Sequence, residues 1–156
     1  MEHPARFALV ELENIHDRAI VFEPIHRVLK GVEPEAFLAA LRKISVPEGY
    51  PIVCVTAGGE EVLHLDREQS PLAVAILQPL LDAYVKEHGA AMDYIHGEEV
   101  VRRLAAEEHT VGLILPGMEK ESLFPGVLCG GVLPRKTFSM GQAREKRYYL
   151  EGKRRR

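Results

Sequence analysis

Apolar and polar residues alternate at the start of the chain. In Phe7 to Ile15, Ala8, Val10 and Leu12 fall on one face of a strand, and Glu11 and Glu13 on the other. His16-Asp17-Arg18 reads as a turn and Ala19 to Phe22 as a second apolar run, which together predict an antiparallel hairpin. Glu23 to Leu29 is predicted to stay extended, with Pro24 breaking the ladder and Gly31 ending the segment. Pro34 then opens a helix whose apolar stripe is Phe37, Leu38, Leu41 and Ile44. The clearest hairpin follows, with Ile52 to Thr56 and Glu61 to Leu65 flanking Gly58-Gly59.

Beyond residue 66 the apolar spacing becomes helical. Ser70 is a predicted N-cap and Pro71 a first helical residue, followed by Leu72, Ile76, Leu77, Leu80, Leu81, Tyr84 and Val85. Pro79 inside that pattern predicts a kink near Gln78 or a restart there. Met92 to Ile95 is a short strand, Glu98 begins a helix carried by Val100, Val101 and Leu104, and Val111 to Leu115 is a strand buried on both faces. Glu119 to Phe124 is about one helical turn, interrupted by Pro125. Hairpins early and alternating strands and helices late predict a mixed α/β, α+β-like fold, with a mixed sheet and helices on at least one face. Residues 1–150 read as one domain and residues 151–156 as a basic tail.

Composition narrows the functional classes. The chain has 156 residues, is 46% hydrophobic and 28% charged, and carries a net charge of -3. It shows no apolar run of membrane-spanning length, so a cytoplasmic location is expected. Cys54 and Cys129 lie in apolar surroundings and read as two buried free thiols. His3, His16, His64, His88 and His109 are scattered without metal-ligand spacing.

The charge is unevenly placed. Residues 134–156 hold nine of the 20 basic residues and two of the 23 acidic ones, a local +7 on an otherwise acidic chain. That end favours an anionic ligand. Aromatics at 6% with no tryptophan, together with the overall acidity, argue against nucleic acid.

Three clusters carry candidate chemistry. His26-Arg27 places an imidazole beside a permanent cation, suited to a phosphate or carboxylate; the alternative is a strand-edge pair with Arg27 bridged to Glu23 or Glu11. Pro134-Arg135-Lys136-Thr137, with Ser139 beyond, offers cations and hydroxyls to an anion; the alternative is an extended segment with Phe138 buried and Thr137 bonded locally. Asp93 and His96 bracket a strand end and suit a base and its orienting carboxylate, or His96 caps the following helix. The candidate catalytic residues are therefore His26, Arg27, Asp93 and His96, and the candidate phosphate ligands Arg27, Arg135, Lys136, Thr137 and Ser139.

Three stretches taken together resemble a known family. They are His3 to Glu11 running into Phe22-Glu23-Pro24-Ile25-His26-Arg27-Val28-Leu29, Asp93-Tyr94-Ile95-His96-Gly97-Glu98, and Leu133 to Gly141 through Glu145 to Glu151. The chain resembles the C-terminal part of the bacterial family called domain of unknown function 1015, in its clostridial branch. The longer family proteins carry an N-terminal half with an Asp-Gly-[His/Asn]-His type motif that this chain lacks. They have been compared with free serine kinases of the ParB/sulfiredoxin-like group. The resemblance implies phosphoryl transfer linked to serine metabolism, with ATP or ADP and magnesium as cofactors. It implies that this chain alone is inactive. Its implied partners are a phosphorylated metabolite or nucleotide and the missing N-terminal half, or a second copy. A non-catalytic interaction or dimerisation module is the alternative.

Overall fold

The computed structural model describes residues 14–141. The predicted first strand (Phe7 to Ile15, apart from its last two residues), the basic cluster Gln142 to Tyr149 and the tail lie outside the described residues. The elements in order are β1 (Phe22–Lys30), α1 (Pro34–Arg42), β2 (Tyr50–Thr56), β3 (Gly59–Leu65), α2 (Ala73–His88), β4 (Ala91–His96), α3 (Glu98–Ala105), β5 (Thr110–Ile114), α4 (Leu123–Gly130) and β6 (Phe138–Met140), with a 3-10 turn at Lys120–Ser122.

The fold is the expected mixture of helix and strand, but the sheet is not mixed: all strand pairings among the described residues are antiparallel, because the helical crossovers skip a strand that runs the other way. The sheet order is β3-β2-β5-β1-β4, and β6 also pairs with β1. Two interleaved units build it. In β1-α1-β2 the strands are separated by β5, and in β4-α3-β5 they are separated by β1. β1 is thus the strand that β4, β5 and β6 all share. Pro24 does not break its ladder: β1 is continuous, and Pro24 sits opposite Phe138 of β6. The Ala19 to Phe22 run is a turn and a short coil, of which only Phe22 belongs to a strand.

Period-two alternation along β1 divides the core. Leu29 faces the same way as Val111, Leu113, Ile52, Cys54, Leu63 and Leu65, and this side packs against Phe37, Leu38 and Leu41 of α1 and Val74, Leu77 and Leu81 of α2. Phe37 meets Tyr84 of α2 edge-on, ring centroids 4.9 Å apart. The other side, with Val28, Val55 and Ile114, packs against Val101 and Ala105 of α3.

Two prolines did not end their helices. α2 runs through Pro79, which lies on its exposed face, where the carbonyl that loses its hydrogen bond can still be hydrated. Burial of Leu77 and Leu81 on either side outweighs the roughly 3 kcal/mol local cost. Pro125 is the third residue of α4, where an absent N–H costs nothing because the first turn has no acceptor for it. The β2-β3 turn is Ala57-Gly58, one residue earlier than expected, since Thr56 already pairs with Gly59. Cys54 is buried as expected and its thiol is pushed up to about 12 by desolvation, whereas Cys129 is exposed on α4.

Gly112 sets how closely α3 approaches the sheet. A Cβ there would stand 2.5 Å from Val101 Cγ1 and 3.1 Å from Ala105 Cβ, both side chains fully buried. Gly112→Ala is expected to destabilise the fold by about 1–3 kcal/mol, the usual cost of overpacking. In a denaturant titration, Val101→Ala in the same chain should recover part of that loss; additive losses would show that α3 does not rest on Gly112.

Candidate functional site

The side chain of Arg27 is the most unusual object in the core. It is 0% exposed, and among the described residues no carboxylate touches it. Nε donates to Gln78 Oε1 of α2 at 2.9 Å, one terminal nitrogen donates to the Ile25 carbonyl at 2.6 Å, and the other reaches the Arg135 carbonyl at 3.3 Å. Its guanidinium carbon lies 4.5 Å from the centroid of the Tyr94 ring. Burial pulls its pKa down to about 10, with Tyr94 and Asp82 raising it in part. Gln78 passes the link on, donating from Nε2 to Asp82 Oδ1 at 2.9 Å. Neither Glu23 nor any other described acidic residue bridges to Arg27; Glu11, the other partner expected, lies outside the described residues.

The Arg27 guanidinium is therefore turned into the core, where it ties β1 to α2 and to the Pro134 to Thr137 turn leading into β6. That turn is tight. Thr137 Oγ1 donates to the Pro134 carbonyl, and Lys136 is held at φ +56°. A lysine there costs of order 1 kcal/mol of backbone strain, which the pinned Arg135 carbonyl and the β6 pairing sustain. Phe138 stacks on Phe22, centroids 4.1 Å apart, closing the junction with β1.

The candidate charged groups do not gather around one point. His26 and Arg27 are neighbours on one strand and point to opposite faces of the sheet. Arg135 turns toward α2 and β4, 3.9 Å from Asp82 and 5.3 Å from the Tyr94 centroid. Ser139 is buried and donates to the Gly141 carbonyl. Asp93 and His96, three residues apart on β4, lie on opposite faces, so they do not form a base and its orienting carboxylate. His96 does not cap α3: the N-cap is Gly97, and no side chain bonds there.

Thr137 does line a cavity, and here residues not singled out from the sequence come forward. The cavity, about 180 Å³, lies at the N-terminus of α2 between Leu72-Ala73-Val74 and the segment Leu115 to Glu119 that follows β5. Arg67, Tyr50 and Ser122 complete its polar wall. Ser70 is not the N-cap; the helix begins two residues later, and Leu72 in the N-cap position supplies no side-chain bond. Among the described residues no side chain therefore caps the first N–H groups of α2 beside the cavity. Arg67 lies over the Tyr50 ring at 4.6 Å and makes no ion pair among the described residues. In sequence, Asp66-Arg67-Glu68 looks like a solvated loop. No local signal marked Arg67, and the uncapped start of α2 shows only once Leu72 is known to precede its first turn.

Replacing Arg27 tests whether it holds this arrangement. Arg27→Met should lower stability by about 1–3 kcal/mol for each buried acceptor left unpaired. Amide hydrogen exchange should speed up at Phe138 to Met140 more than in the β2-β3 hairpin. Uniform acceleration would mean that Arg27 serves the whole core and not this junction.

The family model described as a protein of unknown function, DUF1015, matches residues 1–126. No curated protein and no solved structure matches the chain. The match takes in His26-Arg27 and Asp93 to Glu98 and stops before Pro134 to Ser139. Covering most of the chain, it establishes that the chain belongs to the DUF1015 family.

Proposed function

We propose that this chain is an anion-binding domain, its ligand a small phosphorylated or carboxylated metabolite held at the N-terminus of α2. The observation that carries the reading is the uncapped helix start opening onto a cavity whose wall holds Arg67 and the hydroxyls of Ser122 and Thr137. Backbone N–H groups at a helix N-terminus carry partial positive charge and favour an anion. Arg67 adds a planar cation, set against Tyr50. Glu119 on the same wall favours a ligand that also carries an ammonium group. In this reading Arg27 positions the Thr137 side of the cavity without touching the ligand.

The serine-linked phosphoryl transfer implied by the family resemblance is the finer version of this reading. A phosphorylated amino acid suits both charges of the cavity. ATP with magnesium does not fit it alone. The volume lies below the roughly 300 Å³ at which pockets for drug-sized ligands begin. Among the described residues no group of three His, Cys, Asp or Glu stands ready to hold a metal. No transfer step is therefore assigned to these side chains; their part is to bind and orient.

A second reading, an interaction or dimerisation module, is favoured by α4. Phe124 is 61% exposed, Leu128 86% and the following Val132 95%, an apolar face turned outward.

Calorimetric titration with inorganic phosphate and with phosphoserine separates the readings. The anion-binding account predicts saturable binding that Arg67→Ala weakens about tenfold, the worth of one charge-assisted hydrogen bond. It also predicts that ATP binds no tighter than phosphate. Unchanged binding in Arg67→Ala would remove the cavity as the site. No binding, with a self-associated species in sedimentation that Leu128→Glu disperses, would favour the module.

A further inference from the structure

We infer that His26 is a positioning residue for the α2 cavity and makes its ligand binding sensitive to pH, weakening it as the solution becomes acidic. This rests on the anion-binding reading above. His26 is 2% exposed and lies on the α3 side of β1, and it is not among the cavity's lining residues. Its Nδ1 accepts a hydrogen bond from the Leu115 N–H at 3.1 Å.

Leu115 is the first residue after β5. The pairing of β5 with β1 ends at Arg27 opposite Leu113, so no ladder partner remains for the Leu115 N–H, and the imidazole takes that place. Leu115, Pro116, Gly117, Met118 and Glu119 then form one wall of the cavity. Pro116 has no N–H, so the bond to His26 anchors the wall where it leaves the sheet.

Only an unprotonated ring nitrogen accepts a hydrogen bond, so the bond requires the neutral imidazole with its proton on Nε2. A proton added at Nδ1 would set N–H against N–H and release the Leu115 end of the wall. The charged and titratable groups that act on the ring are Glu98 and Arg102 of α3 and, from the opposite face of the sheet, His96 of β4 and Arg27 of its own strand. Burial is the largest influence and holds the His26 pKa below 6.5; Glu98 opposes it, while His96, Arg27 and Arg102 reinforce it. Because the folded protein with an intact wall excludes this proton, binding is at full strength above the ordinary histidine range and is lost as pH falls through the lowered value. The sign is diagnostic. A histidine touching the anion would bind it more tightly when protonated; one that holds the wall does the reverse.

Sulfate keeps its charge throughout this range and is the probe. Titrations of the full chain from about pH 8 to about pH 5 should show constant sulfate affinity in the upper part and a fall approaching tenfold per pH unit below His26's titration. His26→Gln offers an acceptor oxygen in place of Nδ1, and its affinity should stay level across the range. In the wild type, the Leu115 amide resonance should titrate together with the His26 ring, which decides the matter even if His26→Gln does not fold. Affinity that rises with acidity, parallel pH profiles in the two proteins, or a Leu115 amide indifferent to His26 titration would overturn the inference. Absence of sulfate binding at about pH 8 would instead overturn the anion-binding reading, while a Leu115 amide that follows the His26 ring would still establish the coupling.

Discussion

A guanidinium withdrawn from water, with no carboxylate of the described residues against it, is the constraint on which the rest of this structure depends. Arg27 satisfies its donors with Gln78 and with backbone carbonyls, and spreads its charge over the face of Tyr94. Such a group is costly unless its partners are fixed, because each bond lost exposes a buried charge to an apolar surround. The partners come from β1, from α2 and from the turn before β6, which are far apart in sequence. Their arrangement is therefore specified together. A planar fork suits this task, and a lysine, a point charge on a flexible stem, does not.

The same strand separates two functions by one residue. Arg27 looks toward α2 and secures the Pro134 to Thr137 side of the cavity. His26 looks toward α3 and secures the opposite wall through Leu115. The alternation of a strand turns an adjacent pair in sequence into two anchors on two faces. Residues of both segments line the cavity, and neither His26 nor Arg27 does.

Elements were legible in the sequence wherever one local rule acted alone. The apolar stripe of α1, the β2-β3 alternation and the apolar run of β5 each stated their own structure, and these elements lie within a residue or two of the expected bounds. The errors fall where burial outweighed a local rule. Pro79 and Pro125 are helix breakers by propensity, yet one lies on an exposed helical face and the other within a first turn. The site was less legible for a related reason. Charge density drew attention to Arg27, Lys136 and Ser139, but whether a cation faces water or the core depends on tertiary packing. Arg67 carries no local signature, and the uncapped start of α2 is visible only once Leu72 is known to precede its first turn.

The central claim, that an anion sits against the free N–H groups of α2, is tested most directly by amide chemical shifts during a sulfate titration. The account predicts that the largest and saturable changes occur at Ala73 and Val74, followed by Gly117 and Thr137. Changes confined to Lys136 and other surface cations, or spread evenly without saturation, would contradict it.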